Sequence, residues 1–192
     1  AYDKYAFCAL ASSETNCKEF LRPYLAEAVA SVCGDDVELC AVCVAKGMEF
    51  LNAPYETIQK VTEDLVRSDG ERYCFSKSQE EVDTLLWEAQ LKYVFPLVEN
   101  YRRYFVKKYY AFIKAALPIN NGYGDQVMVP EEAELGNLMY LVERGGIPVS
   151  AEESMELKRY RKARNELAHM NLLSNEELCV ILKAGKHKTA SD

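Results

Sequence analysis

Apolar residues recur every three or four positions through most of the chain, which is the period of an amphipathic helix. Residues 17–32 fit that pattern, with Pro23 expected to break or kink the helix. Residues 37–51 are helical in spacing but apolar on most sides. Pro54 stands where a first-turn proline belongs, and Ile58, Val61 and Leu65 form the buried stripe after it. Asp69-Gly70 marks a turn, and residues 72–75 read as a short strand. The order helix, turn, strand over residues 35–77 resembles the recognition helix and wing of a winged-helix module. It equally suits a plain helical cap on the rest of the chain.

The polar stretch 76–79 is the expected boundary. The longest helix follows over residues 80–117, with Leu91, Val94, Val98, Tyr101, Phe105, Tyr109, Phe112 and Ala116 on one face. Pro96 is expected to kink it and Pro118 to stop it. Residues 119–129 read as an irregular loop; its Gly122 and Gly124 lack the spacing of a phosphate cradle. Pro130 is expected to open a helix with Glu131, Glu132 and Glu134 in its first turn, a core face of Leu135, Leu138, Met139 and Val142, and an end at Gly145-Gly146. Ser150 with Glu153, and Ser174 with Glu177, are two capping boxes that start two further helices. The first carries Leu157, Tyr160, Ala163 and Leu167 and stops near Met170. The second ends by Gly185, before a polar tail. The expected fold is therefore all-α, with an N-terminal helical module (1–78), a helical bundle (79–185) and a disordered tail (186–192).

Composition narrows the setting. Nine Gly and six Pro in 192 residues exclude a fibrous or low-complexity chain. The apolar run at residues 39–45 is far short of the ~20 residues that span a bilayer, and no run is longer. No secretory pattern follows Asp3 and Lys4, so a cytoplasmic, non-membrane protein is expected. The chain opens on Ala1 rather than Met, which suggests a piece of a longer polypeptide. Seven cysteines include one C-x-x-C, Cys40 and Cys43, inside an apolar helix. Nothing nearby completes a zinc set, so the thiols read as small buried hydrophobes of a reducing compartment, and neither metal nor cofactor is expected.

The net charge of −7 gives no global attraction for nucleic acid, so any such contact needs a local basic patch. One exists. Lys158, Arg159, Arg161, Lys162 and Arg164 crowd a single helix that ends in Asn165 and His169. The other histidine, His187, lies in the tail between two lysines. Arg102-Arg103 and Lys107-Lys108 read mainly as the solvated face of the long helix. The tyrosines clustered there suit packing and half-wet contacts.

Arg164-Asn165-x-x-x-His169 resembles the R-(polar)-x-x-x-H signature of the HEPN superfamily. Residues 86–90, 95–99 with Arg102, and 134–138 resemble the first two helices of its members. The likeness covers about residues 80–185. It implies a four- or five-helix up-and-down bundle acting as a homodimer, and a metal-independent ribonuclease in a defence, toxin or RNA-processing setting. Arg164, Asn165 and His169 would be the catalytic set, and Lys158, Arg161 and Lys162 would contact RNA. Imidazole moves protons near neutral pH, and guanidinium forks onto phosphate oxygens. The alternative implied by the same likeness is a non-catalytic module that binds nucleotide or RNA, or mediates assembly. A DNA-contacting adaptor is disfavoured, because Glu56, Glu63 and Asp64 offset Lys60 and Arg67 on the would-be recognition helix. Arg164 and His169 are ~140° apart around an ideal helix, so their convergence needs the reach of the arginine, a loosened last turn or a second subunit.

Overall fold

The computed structural model describes residues 3–120 and 126–189, with the side chains of 186–189, His187 included, outside the described set. The described residues are all-α apart from one two-stranded hairpin. No described helix is long and apolar enough to cross a membrane. The chain divides into two compact units, Ala1–Tyr93 with Met170–Asp192, and Val94–His169. The division falls inside the longest helix rather than at the polar stretch 76–79.

In the first unit, α1 (Lys4–Ser12) starts at Asp3, whose carboxylate accepts the Ala6 amide at 3.1 Å. This helix has no counterpart in the sequence reading, although residues 5–11 are apolar throughout. Pro23 sits in the first turn of α2 (Arg22–Cys33), after the 3-10 turn Glu19–Leu21. The proline therefore opens a helix instead of kinking one, since its missing N–H would be unpaired there in any case. Gly47, at φ 55°, divides the expected 37–51 helix into α3 (Val37–Lys46) and α4 (Met48–Asn52). A Cβ at that position would lie 2.5 Å from the side-chain oxygen of Asn16. Pro54 begins α5 (Pro54–Asp64) as expected. The strand expected over 72–75 reduces to a single bridge, Val66 with Arg72, around the Asp69-Gly70 turn.

Cys8, Cys33, Cys40 and Cys43 are buried together among α1, α2 and α3. Contact with Cys40, and then burial, pushes the Cys8 thiol up; contact with Cys40 and Cys43, and then burial, does the same to Cys33. Among the described residues no group of three or more His, Cys, Asp or Glu could hold a metal ion. The long helix, α6 (Gln79–Lys108), contributes Val82, Leu86 and Ala89 to this core. Its Gln90 is also buried. That side chain donates to the Leu173 carbonyl at 3.1 Å and accepts the Leu173 amide at 2.8 Å. The last helix, α10 (Asn175–Thr189), runs one turn beyond the expected end at Gly185.

In the second unit α6 passes through Pro96 and stops at Lys108; Tyr109 (φ −108°, ψ 21°) separates it from α7 (Tyr110–Ala115). The expected continuous helix to Leu117 is thus broken. The break shifts the register, so Ile113 is buried while Phe112 is 46% exposed. The expected loop 119–129 contains an antiparallel hairpin of β1 (Ile119–Asn120) and β2 (Gln126–Val127), with Ile119 opposite Val127. Gly122 and Gly124 lie outside the described residues. Pro130 opens only a 3-10 turn, Pro130–Glu132. The helix proper, α8 (Leu135–Glu143), starts later, at a capping box between Glu134 and Asn137. The Glu134 amide donates to the Asn137 side-chain oxygen at 2.9 Å. Leu141 and not Val142 completes its buried face.

Candidate functional site

The basic run lies on α9 (Ala151–Ala168). The Ser150 hydroxyl accepts the Glu153 amide at 3.1 Å, and the Glu153 carboxylate accepts the Ser150 amide at 3.2 Å. Leu157, Tyr160, Ala163 and Leu167 are buried, and the Tyr160 ring stacks on Tyr101 at 4.0 Å between centroids, 9° from parallel. Burial of that stripe sets the helix's rotation. Positions 158, 161, 162, 165 and 169 then share one face at spacings of three and four, turned from the core. Lys158, Arg161, Lys162, Arg164, Asn165 and His169 are all exposed.

Arg161, Arg164 and Asn165 line a groove of about 770 Å³. Its other walls are Asn120 and Val127 of the hairpin, and Glu132, Glu134, Leu135, Gly136, Asn137 and Tyr140 at and before α8. The volume suits a small ligand or one unit of a polymer, for which sites run ~300–1,000 Å³. Neither Arg161 nor Arg164 has an ion-pair partner among the described residues. No described carboxylate therefore occupies either guanidinium group.

Three other cations of this unit, Arg102, Arg103 and Lys108, are already engaged. Arg102 is held by Glu99 at 2.7 and 2.8 Å and donates to the backbone carbonyls of Glu131 at 2.7 Å and Ala133 at 3.1 Å. Its contacts hold the Glu99 carboxyl below the usual carboxylate range. Arg103 also pairs with Glu99, and Lys108 pairs with Glu153. The Arg102-Arg103 pair therefore does not extend the free basic surface. Arg102 instead clamps the 3-10 turn that carries Glu132 to the groove wall.

His169 does not line the groove. It is the C-cap of α9, and its amide donates to the carbonyls of Asn165 and Glu166, both at 3.1 Å. The last turn keeps its α-type bond and is not loosened. His169 stays on the Asn165 face, ~6 Å further along the axis, with Arg164 on a different one. Lys158 and Lys162 are likewise outside the groove lining.

The opposite wall carries no local signal in the sequence. Tyr140 is 42% exposed, and the Arg144 guanidinium lies 4.7 Å from its ring centroid. Only the tertiary pairing of α8 with α9 brings these residues to the basic helix. No family model, no curated protein and no solved structure matches the chain.

Proposed function

We propose that the chain binds RNA through the α9 face and, as a HEPN-like homodimer, cleaves it without a metal ion. The observation that carries this reading is the groove in which Arg161, Arg164 and Asn165 meet, its two guanidinium groups without an ion-pair partner among the described residues. In a chain of net charge −7, a local pair of unspent guanidinium groups favours phosphate where the overall field does not.

The chemistry follows from residue types. An imidazole takes the proton of the ribose 2′-hydroxyl, the freed oxygen bonds to phosphorus, and the bond to the 5′-oxygen breaks. The leaving oxygen takes a proton from an acid, and the product ends in a cyclic phosphate. Arg164 follows the charge that gathers on the phosphoryl oxygens. One imidazole cannot serve as base and acid at the same instant. A second copy supplies the second His169 and removes the need for Arg164 and His169 of one helix to converge.

The test is cleavage of single-stranded RNA in EDTA by the full chain, with products analysed for cyclic phosphate ends. His169→Ala is expected to abolish cleavage, and light scattering is expected to give a dimer at tens of micromolar. A second reading, a non-catalytic RNA-binding or assembly module, is favoured by the absence of His169 from the groove lining. Uncut RNA bound equally well by the parent and by His169→Ala decides for it.

A further inference from the structure

The groove beside α9 is not lined by cations alone. Glu132 and Glu134 share it with Arg161 and Arg164. A channel built only for a phosphate backbone gains nothing from carboxylates, which repel phosphate at short range. A ligand suited to both signs carries an anion together with hydrogen-bond donors. Ionised carboxylates only accept, and two adjacent donors can engage both oxygens of one carboxylate.

The two carboxylates differ. Glu134 is tied to the start of α8, where its side chain accepts the Asn137 amide. The Glu132 side chain has no ion pair or hydrogen bond among the described residues, and Glu132 sits on the turn that Arg102 clamps. Asn137 is 9% exposed, and its side-chain oxygen is occupied by the Glu134 amide at 2.9 Å. That bond fixes the amide plane. Asn137 lines the groove, and its NH₂ group donates to no described residue. Tyr140 supplies a flat surface, with Arg144 against its ring. Such a ring stacks any base, at ~1–3 kcal/mol by alanine substitution.

A donor and a carboxylate that share one groove can together complement an edge reading acceptor, donor, donor. Among the four bases of RNA that edge belongs to guanine, through O6, N1–H and the 2-amino group. Uracil alternates, cytosine offers one amino donor, and adenine offers one donor beside an acceptor. We infer that the groove is a guanine-selective subsite for single-stranded RNA: Arg161 and Arg164 take the phosphate, Tyr140 stacks the base, and Glu132 with Asn137 reads its edge. This rests on the reading of the groove as an RNA site.

The test is fluorescence anisotropy with the full chain and labelled uridine dodecamers whose central residue is uridine, guanosine, inosine, adenosine or cytidine. Guanosine is expected to tighten binding about tenfold over the other standard bases, the size of one good paired contact. Inosine, which lacks the 2-amino group, is expected to fall between. Glu132→Gln is expected to bring the guanosine oligomer down to the uridine level. Tyr140→Leu is expected to weaken every oligomer, and Arg161→Ala with Arg164→Ala to weaken them further; circular dichroism checks the helix content of each variant. Equal binding of all five by the parent protein overturns guanine selection while leaving RNA binding intact. A guanosine preference that survives Glu132→Gln overturns the assignment of the edge-reading residue. Absence of binding to every oligomer overturns the RNA reading and this inference together.

Discussion

The carbonyl of Asn165 accepts the amide of His169 at 3.1 Å, so the imidazole is carried by an unbroken last helical turn. The capping contact is made by the backbone of His169. Replacing its side chain therefore leaves the helix end intact. His169→Ala is expected to change unfolding free energy by less than ~0.5 kcal/mol, as for an exposed surface position. The same variant is expected to lose ~10²–10⁴-fold in RNA cleavage, the range for removing a proton-transfer group. A thermal melt and a cleavage assay on the same preparation check both. Parallel loss of fold and activity would contradict this division of roles.

In the proposed complex Arg161 and Arg164 meet phosphate directly, and that contact has a salt signature. Each cation that neutralises a phosphate of a single strand contributes ~0.7 to the slope of log K against log salt. Arg161→Ala and Arg164→Ala are each expected to make the slope shallower by about 0.7, and the double variant by about 1.4. Arg103→Ala, already paired with Glu99, is expected to leave it unchanged. A titration of RNA binding at several salt concentrations reads this out.

Features written in neighbouring residues were legible in the sequence. The Ser150–Glu153 and Ser174–Glu177 boxes form as expected, because side chains three residues apart face each other across a first helical turn. Pro54 opens its helix for an equally local reason. The break at Tyr109 was not legible. Tyr109 and Phe112 keep helical spacing, and only tertiary contacts, including the Tyr109 hydroxyl donating to Glu153 at 2.9 Å, set the new register. At the site, the basic helix was legible as a charge run. Its facing wall was not: Glu132, Asn137 and Tyr140 read as an ordinary helix start until the chain folds them against Arg161 and Arg164. Arg102 illustrates the same limit. Nothing local separates a solvated arginine from one that holds the carbonyls of Glu131 and Ala133.

Gln90 is a buried side chain that satisfies both backbone groups of Leu173, and its Nε2 also donates to the Tyr24 hydroxyl at 3.3 Å. Burial pushes the Tyr24 phenol up to about 12, so it stays protonated at neutral pH. Gln90→Leu conserves volume but leaves the Leu173 amide and carbonyl unpaired. The expected cost is ~2–4 kcal/mol, because each buried orphan group loses ~1–3 kcal/mol. A urea titration checks it, with the midpoint lowered and the m-value unchanged.

Glu153 joins four groups: the Ser150 amide, the Tyr109 hydroxyl, the Lys108 ammonium and, through its own amide, the Ser150 hydroxyl. The Lys108 contact, aided by the Ser150 amide and the Tyr109 hydroxyl, holds its carboxyl at about 2. An unfolded glutamate titrates near ~4.3. The folded value is the lower one, so the folded state favours the ionised form. The resulting stability is fully present above the unfolded value and is lost as pH falls through about 2. The pair is partly exposed, which limits its worth to about 1 kcal/mol or less. Glu153→Gln keeps the capping box, since Gln serves at that position, and removes the charge alone. Urea midpoints for the two proteins are therefore expected to differ at neutral pH and to converge as the pH is taken down to about 2. A difference that persists undiminished in acid would assign the stabilisation to packing rather than to the ion pair.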